Sequence, residues 1–407
     1  MRLSIAAANR AALVLLAAML AGCSNTPPDS RALPVGSSGA SRAIAHPGGR
    51  VPEGSVQFAY VANFGSNDVS AFSVDATSGA LTPVAGSPFK AGTAPYGIAI
   101  DATGEFAYVA NLGSNNVSAY VIDATSGALK KVKGSPFATG TNPLSVAVDQ
   151  TGKFAYVANN GSKNVSAYAI DATSGALTPV NGSPFKAGLR PYAVAVDPSS
   201  KFAYVVNVDS NNVSAYTIDV ASGALTPVKG SPFSTGISPV GVTVHPSGKF
   251  VYVATYGSDN LDGYAIDAAT GALRPLEGSP FADPDSGPAG VVVVPGGGVA
   301  YVPDSAEFGR SDSFVAAYSI DTTRGTLTPI AGSPFKNPGT APISGAVDPT
   351  SKFAYVTNFS SDDVSVYTIA TDGALRKVKG SLFKTGSEPI GIAVCRVTGG
   401  TCIPTPL

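Results

Sequence analysis

One hexapeptide recurs seven times along this chain. It reads FAYVAN at 58–63, 106–111 and 154–159, FAYVVN at 202–207, FVYVAT at 250–255, VAYVPD at 299–304 and FAYVTN at 353–358. The tyrosines at 60, 108, 156, 204 and 252 stand 48 residues apart, and the step lengthens to 49 at Tyr301 and 54 at Tyr355. A fixed period of this length is the mark of supersecondary units that bury their apolar faces against one another. Within residues 96–143, four apolar runs (YGIAID, FAYVAN, NVSAYVID and the weaker ALKKV) are separated by Gly, Asn, Asp and Ser turns. Each run has strand length, and no stretch from residue 23 onward has helical periodicity with caps.

Four strands repeated seven times predict an all-β fold, a seven-bladed β-propeller of four-stranded blades. The FAYVA runs are apolar on both faces, as strands packed between two neighbouring blades must be. A composition with 44% hydrophobic and 13% charged residues agrees with that burial. The first repeat begins at its second strand, near Phe58, and the chain supplies a lone first strand at 390–394. The C-terminal strand is therefore expected to join the N-terminal blade and close the ring. The predicted blades are 58–85 with 390–395, then units starting near 96, 144, 192, 240, 290 and 343.

Most recurring polar residues read as backbone devices. Asp75, Asp123 and Asp171 end strands before turns whose glycines suit positive φ. Asn63, Asn111 and Asn159 stand where a strand meets a tight loop, and are expected to bond their own backbone. The SPF phenylalanines, Phe89, Phe137, Phe185, Phe233, Phe281, Phe335 and Phe383, read as packing between blades. His245 replaces the Asp of Asp101, Asp149, Asp197 and Asp348, and reads as a turn residue. The run Gly296, Gly297 and Gly298 leads into a strand, so it is a turn and not a phosphate cradle.

The N-terminus carries Arg2 and Arg10, then a short apolar run, then Cys23. This is the pattern of a secretory signal. Leu20, Ala21, Gly22 and Cys23 resemble a bacterial lipobox, which implies cleavage after residue 22 and lipidation of Cys23. Ser24 in the next position favours, by the same resemblance, the outer membrane. The predicted organisation is a signal peptide at 1–22, a lipidated Cys with a Pro-, Gly- and Ser-rich tether at 23–57, the propeller at 58–396 and a tail at 397–407. Cys395 and Cys402 remain, separated by RVTGGT, and an exported chain favours their pairing as a disulfide. A formal net charge of −1 and no basic aromatic groove give no sign of nucleic-acid binding.

Chemistry is sought where the repeat breaks. The segment before the sixth blade introduces Asp283 and Asp285. The loop after that blade's second strand is enlarged and adds Asp304, Glu307, Arg310 and Asp312. Both loops are expected on one face, and Arg190 and Glu388 replace smaller residues in equivalent loops of that face. Three roles are open to the cluster: a solvated, drifted blade with no ligand, a recognition patch or hard-cation site for Ca²⁺, and the carboxylate base of a hydrolase. No Ser-His-Asp arrangement and no metal-ligand spacing is present, so no cofactor is expected apart from the Ca²⁺ alternative.

The YVTN tetrapeptide at 355–358, third strands such as DVSVY at 363–367 and turns such as Asp171 to Gly175 resemble the lactonase-type seven-bladed propellers, the YVTN-repeat proteins. That family includes propeller-type 6-phosphogluconolactonases and muconate-cycloisomerase-like enzymes. The resemblance spans about 58–396. It implies the fold and, for the enzymatic members, a Pro-His at the start of an inner strand with Arg and Glu converging on the channel. Here the matching positions are Tyr96, Leu144, Tyr192, Val240, Ala289, Ile343 and Ile390, none of them His, so no catalytic residue carries over. The expected function is a monomeric, envelope-anchored binding or scaffold module for an unidentified protein, glycan or small molecule, leaning away from catalysis. The alternative is a lactonase-like hydrolase using the carboxylates with Arg310 or Arg190. An enzyme should bring acid or base and cation together at the channel mouth; a scaffold should have a polar, undifferentiated channel.

Overall fold

The computed structural model describes residues 57–305 and 313–404. Seven antiparallel sheets form the predicted ring. Blade 2 shows the pattern: inner strand Pro95–Ile100, second strand Phe106–Asn111, third strand Asn116–Ile122 and outer strand Leu129–Lys131. A fifth, two-residue strand, Phe137–Ala138, pairs with the start of the third strand, whose other end pairs with the outer strand. The sequence did not suggest it, because two residues carry no periodicity. The other inner strands are Pro143–Val148, Pro191–Val196, Pro239–Val244, Val292–Val293 and Pro342–Val347 in blades 3 to 7.

Blade 1 is composite, as expected. Its second strand Gln57–Asn63 pairs with Pro389–Thr398, with Phe58 opposite Cys395 and Val61 opposite Ile392. The C-terminal residues extend this sheet beyond the predicted boundary at 396. The strand runs on to Thr398, turns through Gly399 and Gly400 at positive φ, and returns as Thr401–Pro404. Cys395 and Cys402 form the expected disulfide across this hairpin, with Cα atoms 5.3 Å apart. Cys402 N donates to Gly104 O of blade 2 at 3.4 Å. The described strands close the seven sheets of the ring within residues 57–404.

The two faces of each second strand enter different interfaces. Phe106, Tyr108 and Ala110 join Val146, Val148 and Val157 of blade 3, whereas Ala107 and Val109 join Phe58, Tyr60 and Ala62 of blade 1. Phe89 packs, half-buried, on that second cluster, as the repetition of SPF predicts. Two sets of tyrosine hydroxyls tie the blades together. Tyr60 donates to Gly127 O at 3.1 Å, Tyr108 to Gly175 O at 3.0 Å, Tyr156 to Gly223 O at 3.1 Å, Tyr204 to Gly271 O at 3.0 Å, Tyr252 to Gly325 O at 2.8 Å and Tyr301 to Gly373 O at 2.8 Å. The acceptor must be glycine in such a turn: Gly127 has φ +74°, and a Cβ there would lie 2.4 Å from the Phe58 ring. The second set runs the other way, for example Tyr120 to Lys90 O at 2.7 Å and Tyr168 to Ala138 O at 2.7 Å.

Both sets fail at the seam between blades 7 and 1. The Tyr355 hydroxyl is buried without a partner among the described residues. Phe72 stands opposite Pro83, where blade 2 has Tyr120 opposite Lys131.

The inter-blade segments and the second-to-third-strand loops share one face, the loop face, as Leu112 N to Ala94 O (2.9 Å) and Gly113 N to Thr93 O (3.0 Å) attest. The recurring Asn corrects an expectation. Asn111 is fully buried and bonds not its own backbone but the third strand, donating to Asn116 Oδ1 at 2.8 Å and Ser118 Oγ at 2.9 Å. Its Oδ1 accepts from Gly92 N at 3.1 Å, which fastens the inter-blade segment.

Candidate functional site on the loop face

The channel mouth on this face is closed by side chains. Tyr96, Leu144, Tyr192, Val240, Ile343 and Ile390, each following an inner-strand proline, are buried in one cluster with Phe64, Val208 and Phe359. Tyr96 and Tyr192 meet edge to face with ring centroids 6.3 Å apart, and their hydroxyls are 2.8 Å apart. Among the described residues, the polar channel expected of a scaffold is therefore absent at this level, while an acid and a cation do meet beside it, at Arg190 and Asp209. Bulky side chains at six of the seven positions, with Ala289 at the seventh, fill this space.

Arg190 lies beside this plug at φ +54°. Its guanidinium pairs with Asp209 at 3.5 Å, and Nε donates to Asn160 Oδ1 at 3.4 Å. Burial pushes the Tyr96 and Tyr192 phenols well up, and the Arg190 charge opposes that rise only weakly. Glu388, at φ +55°, sits at the boundary of blades 7 and 1, where its backbone N donates to Asp362 Oδ1 at 2.7 Å and its carboxylate abuts Gly65.

The structure does bring Asp283, Asp285 and Asp304 together. Asp304 ends the second strand Val299–Asp304, where blades 1, 2, 3, 4 and 7 have the clamping Asn. Opposite it, Phe314 and Ala316 occupy the places held in blade 7 by Asp363 and Ser365, which accept the two Asn358 bonds at 2.8 Å each. Asp304 thus has neither clamp partner. Asp283 stands two residues after Phe281, as Asn337 stands two residues after Phe335. In blade 7, Asn337 Nδ2 donates to Asn358 Oδ1 at 2.6 Å. Blade 6 has therefore exchanged both amides of a buried pair for carboxyls.

That exchange has an electrostatic consequence. Asp304 is 0% exposed, and among the described residues neither of its oxygens has a hydrogen-bond partner; the same holds for Asp283 Oδ2. Two adjacent carboxylates removed from water cannot both ionise, so the pair holds a proton between them. Burial, then the charges of Asp283 and Asp285, keeps Asp304 well above the usual carboxylate range. Asp283, half-buried, is pushed up to about 6, chiefly by burial, with Asp285 and Asp259 adding to the rise. Tyr318, whose phenol is raised by burial and by both carboxyls, faces them and donates to Ala282 O at 3.3 Å. A half-buried carboxyl of pKa about 6, backed by a protonated carboxyl, is equipped to take and return a proton near neutrality.

Glu307, Arg310 and Asp312 lie outside the described residues, as does Cys23. Among the described residues, no group of three or more His, Cys, Asp or Glu is arranged to hold a metal ion. His245 is a turn residue, as expected: its ring nitrogens meet Ser247 Oγ and Gly297 O, each at 2.8 Å, and burial lowers its pKa. What sequence reasoning missed is that Asp283 and Asn337 are equivalent. The signal was there, since both segments are one residue longer between Phe and Pro than in the other blades.

Solved structures with this architecture include a periplasmic gluconolactonase of Pseudomonas aeruginosa, 18% identical, with a TM-score of 0.70 over 84% of this chain and 99% of that one. A protein of Bacteroides fragilis, described as a candidate 6-phosphogluconolactonase, is 18% identical with a TM-score of 0.73 over 85% of this chain and 99% of that one. A Lactobacillus plantarum protein is 21% identical with a TM-score of 0.69, covering 84% and 99%. At these identities the likeness is one of fold. No curated protein matches the chain. The family model for "Lactonase, 7-bladed beta-propeller" matches residues 52–143, 134–234, 182–286 and 282–391, which together run through every blade. The chain belongs to the lactonase family of seven-bladed β-propellers.

Proposed function

We propose that this propeller is a lactone hydrolase working on its loop face, with Asp283 as the general base. The observation that carries the proposal is the replacement of a buried Asn pair by Asp283 and Asp304, which gives Asp283 a pKa of about 6. Family membership supports the substrate class. In the ionised form, Asp283 takes a proton from water as the hydroxyl adds to the lactone carbonyl carbon. The ring C–O bond then breaks, and the proton passes from Asp283 to the leaving alkoxide, giving the hydroxy acid. Asp304 holds its own proton throughout, and Asp283 is kept basic chiefly by its burial, with the charges of Asp285 and Asp259 adding to it. The signal sequence and lipobox support work at the bacterial envelope, anchored through Cys23, with the outer membrane favoured by Ser24.

The test is hydrolysis of a panel of aldonolactones and simple aliphatic lactones, followed by proton release. Turnover should rise with pH through about 6 and fall about a hundredfold or more in Asp283→Asn. Turnover untouched by that substitution refutes the assignment of the base. A second reading, a binding module without turnover, is favoured by the plugged mouth and by the neutralisation of Arg190 by Asp209. A lactone or glycan that raises the melting temperature and is never hydrolysed would establish it; a ligand at a hundred times its dissociation constant adds about 2.7 kcal/mol.

A further inference from the structure

The outer strands are not equivalent in charge. The seven copies of that segment, from ALTPVAG at 80–86 to ALRKVKG at 374–380, contain eight basic residues. Six of them lie in two blades: Lys130, Lys131 and Lys133 in blade 2, and Arg376, Lys377 and Lys379 in blade 7. All six are exposed, while Val132 and Val378 between them point into the core. The outer strands Leu129–Lys131 and Leu375–Lys377 each bury only their first residue, which leaves both following basic residues in solvent. Among the described residues, none of the six makes an ion pair with a carboxylate.

Blades 2 and 7 are the two neighbours of blade 1, the composite blade. That blade starts at Gln57, so the first described residue lies between the two basic rims. The opposite side of the ring has no such feature: Thr178, Thr226 and Thr328 stand at the first exposed outer-strand position of blades 3, 4 and 6, and Glu277 follows Arg274 in blade 5.

We propose that the rim formed by blades 7, 1 and 2 is a docking surface for an anionic lipid bilayer. Six side chains with flexible four- or three-carbon stems present cations to lipid phosphates without needing a shaped pocket, and an anchor at Cys23 would hold that same side of the ring toward the membrane. The attraction is electrostatic and acts within a screening length of about 8 Å, so it weakens with salt. It is independent of the hydrolase proposal, because no residue is shared.

The experiment is co-sedimentation of residues 57–407, which lack the anchor, with vesicles. Vesicles of phosphatidylglycerol with phosphatidylethanolamine should pull the protein down at low salt, and pure phosphatidylcholine vesicles should not. Charge reversal at Lys130, Lys131, Lys133, Arg376, Lys377 and Lys379, each to Glu, should weaken binding at least tenfold. The control Lys229→Glu with Arg274→Glu, on the far rim, should leave it unchanged. Equal binding to neutral vesicles, no binding by the unaltered protein, or equal loss in the control overturns the proposal. So does capture by a polyanion such as heparin with no capture by anionic vesicles. Unchanged melting temperatures keep misfolding out of the comparison, since all eight side chains are exposed.

Discussion

The tyrosine hydroxyls that join each blade to the next make an experiment with its own control. Take Tyr108→Phe. The phenol is buried, and its hydroxyl is the donor to Gly175 O at 3.0 Å. Removing it deletes one hydrogen bond and leaves a carbonyl at a buried turn without that donor. A net bond of this kind contributes about 1 kcal/mol, and the stranded acceptor adds to the loss, so about 1–2 kcal/mol is expected. The same loss should follow from Tyr60→Phe, Tyr156→Phe, Tyr204→Phe, Tyr252→Phe and Tyr301→Phe. Tyr355→Phe is different, because that hydroxyl is buried with no partner among the described residues. Deleting it removes a desolvated donor and should range from no change to a gain of about 1 kcal/mol. The converse substitution, Phe72→Tyr, restores a hydroxyl where blade 2 has Tyr120, and should stabilise by about 1 kcal/mol. Urea unfolding followed by far-ultraviolet circular dichroism gives each value against the unaltered ring. A cost for Tyr355→Phe equal to that of Tyr108→Phe would refute the argument that the seam lacks this bond.

Three further outcomes follow from the same structure. Asp283 has a folded pKa of about 6, raised from 3.8, so the native state holds the extra proton and stability falls as pH rises through about 4 to 6 and beyond, as Asp304 deprotonates; Asp283→Asn with Asp304→Asn should abolish that fall, which pH-dependent melting measures. Reducing the disulfide, or replacing Cys395 and Cys402 with Ser, opens a loop with a sequence separation of 7 and should cost about 2.5 kcal/mol in the chain-entropy account, with faster hydrogen exchange confined to the hairpin 395–404. Gly127→Ala places a Cβ 2.4 Å from the Phe58 ring at φ +74° and should destabilise by more than about 2 kcal/mol, whereas Gly399→Ala, with open space around it, should cost about 1 kcal/mol, from its positive φ alone; thermal melting ranks them.

The ring was legible because period is a property of spacing, and spacing survives substitution: Tyr60 to Tyr252 keep their interval whatever the side chains around them do. Closure was legible for the same reason, since a repeat that starts at Phe58 and ends at Val394 has one strand too few at one end and one too many at the other. The clamp made by Asn111 was not, because an Asn before a loop has two plausible partners, its own backbone and the next strand, and only register decides. The plug at the channel mouth was half legible. The absence of His after the inner-strand prolines could be read directly, but that Tyr96 and Tyr192 would meet across the ring depends on which blades face each other. The carboxyl pair needed both loops in place at once. Asp283 and Asp304 were named from composition and loop position, yet Asp304 being sealed from water follows from Phe314 and Ala316 opposite it, two residues with nothing polar to announce them.

The composite blade has a consequence for how the protein is made. The strand at Gln57 finds its inner partner only when Arg396 has been synthesised. At about 5–20 residues per second, that wait is roughly 15–70 seconds. Through it, the edge from Phe58 to Ala62, apolar on both faces, has its backbone groups open to any extended chain that passes. Every later blade completes its own sheet from contiguous residues, so only the first must be kept apart from strangers until the last strand arrives. A nascent chain cut short before Pro389 would carry six finished blades and a permanently adhesive seventh, and it is there that holding chaperones should be found bound.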